Sequence, residues 1–473
     1  MLRERYPIDK LFEEITTYFP EVDPILAKID AQLEDEELYQ LIRADLSKRR
    51  PKSLETGRNS TPVEVALRML VVKRLYRYSY AETERYVSDS LVLRRFCRVY
   101  LNRAPDDTTL IRLANLIRPE TLEKFNARIS ALAVESKVSS GKKLRTDGTV
   151  VETHIHAPSD SRQLADSVRV LARTIVRARK VLQTVKEGMS EAFEDYTTAA
   201  RRAARKIGET LRKRTDEAKE AGKQQYQELM DMTEKTIQQA AQTSEQLGQQ
   251  IGKAAQRLKR TLAIFIPLAE KVVDQTRRRI LKDESVPAQE KVLSIFEPHT
   301  DIICRGKENH PVEYGHKVWL NEVDGGIVTH YRILDGNPND ETQWEPSLNA
   351  HVECFGHPPE QASADRGLYS ASNEKFAKDL GIEHVVLPKR GYKSKQRREH
   401  ESQAWFVEGR KWHAGVEGRI SVLKRVHGLG RCLNHGLPGF ERWVGWGVIA
   451  GNLAVMGTAL VARRATANEG GKI

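Results

Sequence analysis

The chain has 473 residues, with 77 Lys and Arg against 65 Asp and Glu and a formal net charge of +12. Its 39 % hydrophobic content excludes a disordered chain, and its length provides for two or three domains with at least one sizeable core. Four cysteines, far apart in the chain, exclude a disulfide-stapled secreted module, and the positive balance favours a polyanionic partner.

The N-terminus MLRERYPIDK is charged and lacks the apolar run of a secretory leader, which points to a cytoplasmic protein. Residues 1–140 read as an all-α domain. Ser60-Thr61-Pro62 predicts the start of a core helix through Leu67, Leu70 and Leu75. Ser79 opens another helix, and Pro105-Asp106-Asp107 opens a third, carrying Arg112 and Arg118. Short helices with outward Arg94, Arg95, Arg98, Arg103 and Arg112 fit a helix-turn-helix-like DNA-binding unit.

Lys143–Glu152 is the first strand. From 161 to 285 the character changes. Leu164, Val168, Leu171, Ile175, Ala178, Leu182 and Val185 fall at alternating spacings of four and three, a heptad seam. With Ala221-Gly222 as the turn, the segment predicts a coiled-coil hairpin of two arms, weakened at Gly188, Gly208, Gly248 and Gly252. Sheet signals return at 313–320 and 326–334, joined by an Asp324-Gly325 turn, then at 362–369 and 383–388. The two segments 141–160 and 286–465 therefore form one α/β domain interrupted by the insertion. Trp443–Ala462 is long enough to cross a membrane, but its glycines, Asn452 and Thr458 favour a buried helix and no membrane partner. A disordered tail is expected over 466–473.

The helix expected over 402–425 lies in the most basic window of the chain. Between Lys389 and Arg431, twelve Lys or Arg face four acids. Arg410, His413, Glu417 and Lys424 recur near multiples of a helical turn and form a column along one face, with Arg425 next in the chain. One carboxylate among basic groups suits a metal held against a phosphate backbone. Asp147, in the first strand, and Asp365, at the end of a later one, are its candidate partners, because hard Mg2+ ions take oxygen ligands. Glu152 falls on the opposite face of the strand from Asp147. Trp405 and Trp412 are candidates for stacking on a base or packing on the sheet.

Thr146-Asp147-Gly-Thr-Val-Val-Glu152, Ala364-Asp365-Arg-Gly-Leu-Tyr369 and Glu417-Gly-Arg-Ile-Ser-Val-Leu-Lys424 resemble the DDE transposases of bacterial insertion sequences. Thr61–Leu70 and Pro105–Leu110 resemble the helical domain that often precedes their core. The resemblance covers most of the chain outside the insertion. It implies a ribonuclease-H-like α/β core, a mixed sheet flanked by helices. It also implies Asp147, Asp365 and Glu417 as ligands of two Mg2+ ions, with Mn2+ as a substitute. DNA would be the partner, at the element ends and at the target, bound by a homodimer or higher homo-oligomer in the nucleoid. Lys424 matches a lysine that contacts phosphate near the scissile bond. Related transposases carry Tyr and Arg seven and four residues before the glutamate, where this chain has Arg410 and His413. A ribonuclease-H-like nuclease that never joins strands, and a catalytically dead DNA-binding coiled-coil protein, are the alternative readings.

Overall fold

The first strand, β1 (Lys143–Glu152), is the axis of a six-stranded mixed sheet completed by β2 (Asp301–Cys304), β3 (Val312–Val323), β4 (Ile327–Ile333), β5 (Gln361–Ser363) and β6 (His384–Val386). The computed structural model describes residues 1–18, 23–49, 52, 60–183, 193–304 and 311–464, and the backbone alone of 465–470. Antiparallel β3 lies on one side of β1 and parallel β5 on the other. β4 and β2 border β3, and β6 runs parallel to β5. The β3–β4 connection is a short 3-10 turn, Asp324–Gly326, with Gly325 and Gly326 in the left-handed region (φ 78° and 77°).

Among the described residues, eight helices precede the sheet: α1 (Lys10–Thr17), α2 (Pro24–Gln32), α3 (Glu36–Ser47), α4 (Val63–Leu75), α5 (Tyr80–Asp89), α6 (Leu91–Phe96), α7 (Asp107–Ala114) and α8 (Pro119–Glu135). Their starts follow local chemistry. Ser79 and Glu82 close a reciprocal capping box, and Asp106 caps α7. At α4 the expected Ser-Thr cap gives way to Pro62, whose side chain makes no capping bond. Arg118 is the N-cap residue of α8 rather than part of α7. Helices α2 to α8 share one hydrophobic core with the sheet, running from Leu26 and Ile42 through Leu67, Phe125 and Leu144 to Trp446 and Met456.

The arginines expected to face outward are largely committed within the protein. Arg98 pairs with Asp30 and Glu34, Arg95 with Glu13, and Arg94 donates to the carbonyls of Ser88, Tyr100 and Asn102. Fully buried Arg68 meets the same Asp30 and Glu34 together with Glu64. Arg112 remains exposed. A second buried polar centre is Asp45, whose carboxylate accepts from the Arg118 backbone N–H, the Arg118 side chain and Thr121. Burial pushes its pKa up, but these donors outweigh burial and hold it below the usual carboxylate range. A depressed folded pKa contributes stability above the unfolded value, lost as pH falls through the folded one. Asp45→Asn is therefore expected to cost about 2–3 kcal/mol near neutral pH, with the difference from wild type shrinking in acid; denaturant titrations at pH 7 and pH 3 measure it.

The chain divides into two compact units, one of Met1–Glu152, Ile303–Arg305 and Gly315–Ile473 and one of Thr153–Ile302 and Gly306–Tyr314. Among the described residues, the second unit contains four α-helices where a two-armed hairpin is expected: α9 (Asp160–Gln183), α10 (Thr197–Leu211), α11 (Asp216–Gly248) and α12 (Lys253–Thr276). The seam from Leu164 to Leu182 is buried as expected, and Val185 and Gly188 lie outside the described residues. It packs on Leu229, Met230 and Ile237 of α11 and Leu262, Ala269 and Val272 of α12, so the segment is a bundle. Ala221-Gly222 is not a turn. It lies inside α11, where a Cβ on Gly222 would meet the Leu211 side chain at 2.9 Å, so the missing side chain admits the end of α10.

After β4 come α13 (Trp344–Phe355), α14 (Ala371–Asp379), α15 (Lys395–Ser402), α16 (Ala404–Arg425) and α17 (Leu437–Gly470). The expected 402–425 helix is α16, which begins at Ala404, separated from the preceding α15 by Gln403, which is extended (φ −60°, ψ 144°). The helix α17 has a span, Leu437–Arg464, apolar enough to cross a membrane, and its most apolar stretch is 67 % buried. It packs on α2, α4, α8 and β4, and Gly445, Gly451 and Gly457 lie where a Cβ would strike Tyr331, Leu423 and Ile25. The tail expected to be disordered from 466 is helical as far as Gly470, and 471–473 lie outside the described residues.

Candidate functional site

Two strands deliver the aspartates. Between β1 and β5, Lys143 pairs with Gln361, Leu144 with Ala362 and Arg145 with Ser363. Continued two residues, that register sets Asp365 beside Asp147. β1 runs on through Asp147, paired with Leu320 of β3, whereas β5 ends and Asp365 becomes the N-cap residue of the 3-10 turn Arg366–Leu368. The Asp147 carboxylate accepts a bond from the N–H of Gly148 at 2.7 Å.

The third acid comes from α16, which crosses β1, β5 and β6. Close approach is possible because glycines face the sheet. A Cβ on Gly409 would lie 2.6 Å from Val386 Cγ2 of β6, and one on Gly415 would overlap the Arg145 guanidinium of β1. Arg145 is the clamp. It forms an ion pair with buried Glu322 of β3 (2.6 Å), stacks on Trp412 (4.8 Å to the ring centroid) and donates to the Trp412 carbonyl. Trp412 is thus occupied by packing, and Trp405 stacks on His384 of β6 at 4.8 Å. Gly409→Ala is expected to cost about 1–3 kcal/mol by overpacking α16 on β6, read as a lowered thermal midpoint.

This docking brings Asp147, Asp365 and Glu417 to one cleft of about 210 Å3, whose walls also carry Arg366, Arg410 and His413. Glu417 and Arg410 are exposed, and His413 is 8 % exposed. His413 Nε2 stands 3.6 Å from Asp365 Oδ1, while its Nδ1 has no hydrogen-bond partner. The His413 imidazole holds the Asp365 carboxyl below its usual range against the opposing effect of burial, with Arg390 and Arg366 adding to the lowering. The sequence pattern does not single out Arg366, Arg390 or Arg145. Only the adjacency of Arg366 to Asp365 hints at the first.

The donor set suits a hard divalent cation: three carboxylates on a solvent-open cleft with cationic groups at its rim. The side chains are not drawn together, however, since among the described residues no group of three or more His, Cys, Asp or Glu is placed to hold an ion. Lys424 does not join the acid cleft. It lines a separate basic pocket two turns further along α16. Arg425 is exposed, its carbonyl accepting from Arg77 at 2.6 Å. Glu152 is used structurally, pairing with Arg431.

Residues 13–116 match the model of a family described as Transposase domain (DUF772). The match supports a transposase of an insertion sequence, a DNA-modifying enzyme. It spans the helices from α1 to α7 and none of the three acids. No curated protein and no solved structure matches the chain.

Proposed function

We propose that the chain is a transposase that cleaves DNA at the ends of its element and joins the 3′ ends to target DNA, using Asp147, Asp365 and Glu417 with divalent ions. The observation that carries this reading is the meeting of three carboxylates, from β1, the end of β5 and α16, on one open cleft. The strand order supports a ribonuclease-H-like core: β1 central, an antiparallel β3–β4 pair on one side and parallel β5 and β6 on the other. The transposase-domain match over 13–116 supports DNA as the partner.

Asp147, Asp365 and Glu417 would hold Mg2+, or Mn2+ in its place. Bound there, two such ions would make water or a 3′-OH a stronger nucleophile and stabilise the leaving 3′ oxygen. The chain's own groups do the rest. Asp147 is fixed by its strand and the Gly148 N–H. His413, buried and beside Asp365, fits a positioning role for that carboxylate better than a DNA contact. Arg410 and Arg366, at the cleft wall, draw in a phosphate and orient it. Arg425 and Arg112 offer exposed charge to the flanking backbone.

Pre-cleaved element ends incubated with plasmid target and Mg2+ test the reading. Joined product is expected. Hydrolysis without joined product would instead favour a nuclease that uses the same acids.

A further inference from the structure

We propose that a second, basic pocket, built by Lys73, Arg74 and Arg77 together with Lys424 and Arg431, seats a phosphodiester of the bound DNA strand; this rests on the reading of the chain as a DNA-acting enzyme. The cavity, about 470 Å3, is lined by the last turn of α4, the start of α5 and the connection between α16 and α17. Five of its lining residues are Lys or Arg, of which Arg431 is paired with Glu152, and the lining carboxylate, Glu82, is held in the capping box with Ser79.

Two of the cations are buried next to each other without an acid. Arg74 is 6 % exposed; one guanidinium nitrogen donates to the Trp443 carbonyl at 2.8 Å, and Nε has no acceptor. Lys73 is 8 % exposed, its ammonium 4.4 Å from the centre of the Tyr80 ring and 5.4 Å from that of Trp443. Neither forms an ion pair with a carboxylate among the described residues. Burial pushes the Lys73 pKa down to about 8 and that of Arg74 down to about 10. Aromatic faces and the C-terminal end of α4 offset part of the cost of these charges, but each supplies only a fraction of an anion's field.

The pocket is shaped around these groups. A Cβ on Gly447 would come within 2.8 Å of one Arg74 terminal nitrogen, and one on Gly428, at φ +74°, within 3.2 Å of the other. The guanidinium is therefore held in one place. A fixed fork beside a lysine ammonium matches the oxygens of a phosphate, and a cavity of this size admits a phosphodiester group. DNA is favoured over a free phosphate because α16 links the pocket to the acid cleft. Lys424 lies seven residues beyond Glu417, about 10 Å along the helix. A strand covers that distance in about three nucleotide steps.

The test uses the full chain and a fluorescein-labelled duplex from the flank of its coding sequence, titrated in EDTA over a range of salt. Lys73→Gln is expected to weaken binding about tenfold at low salt and to reduce the slope of log affinity against log salt by about one. Lys73→Arg should retain both, as should Lys10→Gln, which removes an exposed charge elsewhere. Arg77→Gln, at an exposed rim position, should act in the same direction and decides the matter if Lys73→Gln fails to fold. Unchanged affinity and slope in a folded Lys73→Gln or Arg77→Gln protein overturn the proposal. So does a pocket that serves inorganic phosphate alone, seen as phosphate raising the wild-type melting temperature but not that of Lys73→Gln while DNA affinity stays equal. The acids take no part in EDTA, so failure of the cleavage mechanism leaves this result standing, and the converse holds.

Discussion

Asp147→Asn, Asp365→Asn and Glu417→Gln are each expected to lower DNA cleavage by roughly a thousandfold or more, about 4 kcal/mol of activation free energy, while the protein stays folded. The effect is large because the acids act as one unit: removing any of them leaves too few oxygen donors for the ions. Stability should move little, because Glu417 and Asp365 are exposed and solvent screens the attraction of Asp365 to His413, Arg390 and Arg366. Cleavage of end-bearing DNA, paired with thermal melts, checks both halves. Cleavage equal to wild type in all three variants would show that these acids do not carry the chemistry.

Asn452→Leu is expected to be the most damaging single change to the fold, at about 3–5 kcal/mol. Asn452 is fully buried, midway along α17. Its side-chain oxygen accepts from the Val328 N–H and from Arg419, and its amide donates to Asn126 and to the Val328 carbonyl. One amide thus joins α17, β4, α8 and α16. Leucine fits the volume but removes the bonds to the Val328 N–H, the Arg419 guanidinium and the Asn126 side-chain oxygen, while the Val328 carbonyl keeps its bond from Asn126. Thr458→Val, on the exposed face of the same helix, should cost little. Denaturant midpoints compare the two directly.

The same residue shows what a sequence discloses and what it withholds. Asn452 among apolar neighbours argues for a buried helix, and α17 is one; its partners, 33 to 326 residues away, leave no mark on local pattern. The acid-bearing segments were legible because strand alternation, Asp-Gly turns and a carboxylate at a strand end are local signals. The pairing of β1 with β5, which sets Asp365 beside Asp147, is not. The insertion was half legible. Its heptad spacing shows which face is buried but not how many helices share it. The true break between α10 and α11 runs through Arg212–Thr215 with Arg214 in the left-handed region, a turn without the glycine that usually announces one. Gly222, which does look like a turn, is a contact point inside a helix. Arginine count was equally ambiguous. Arg94, Arg95 and Arg98 read as a DNA surface, yet their partners include Glu13, Asp30 and Glu34, distant in sequence. Lys73 and Arg74 fall near the end of an apolar helix, where basic residues are common, so nothing local marks them as buried.

The central claim is that Asp147, Asp365 and Glu417 form one divalent-ion site when DNA is present, and calorimetric titration of Mn2+ into the DNA-bound protein tests it most directly. Saturable binding is predicted for the wild type, lost or strongly weakened in each of the three single variants while DNA binding persists. Binding of equal strength and stoichiometry in the wild type and in all three variants would contradict it.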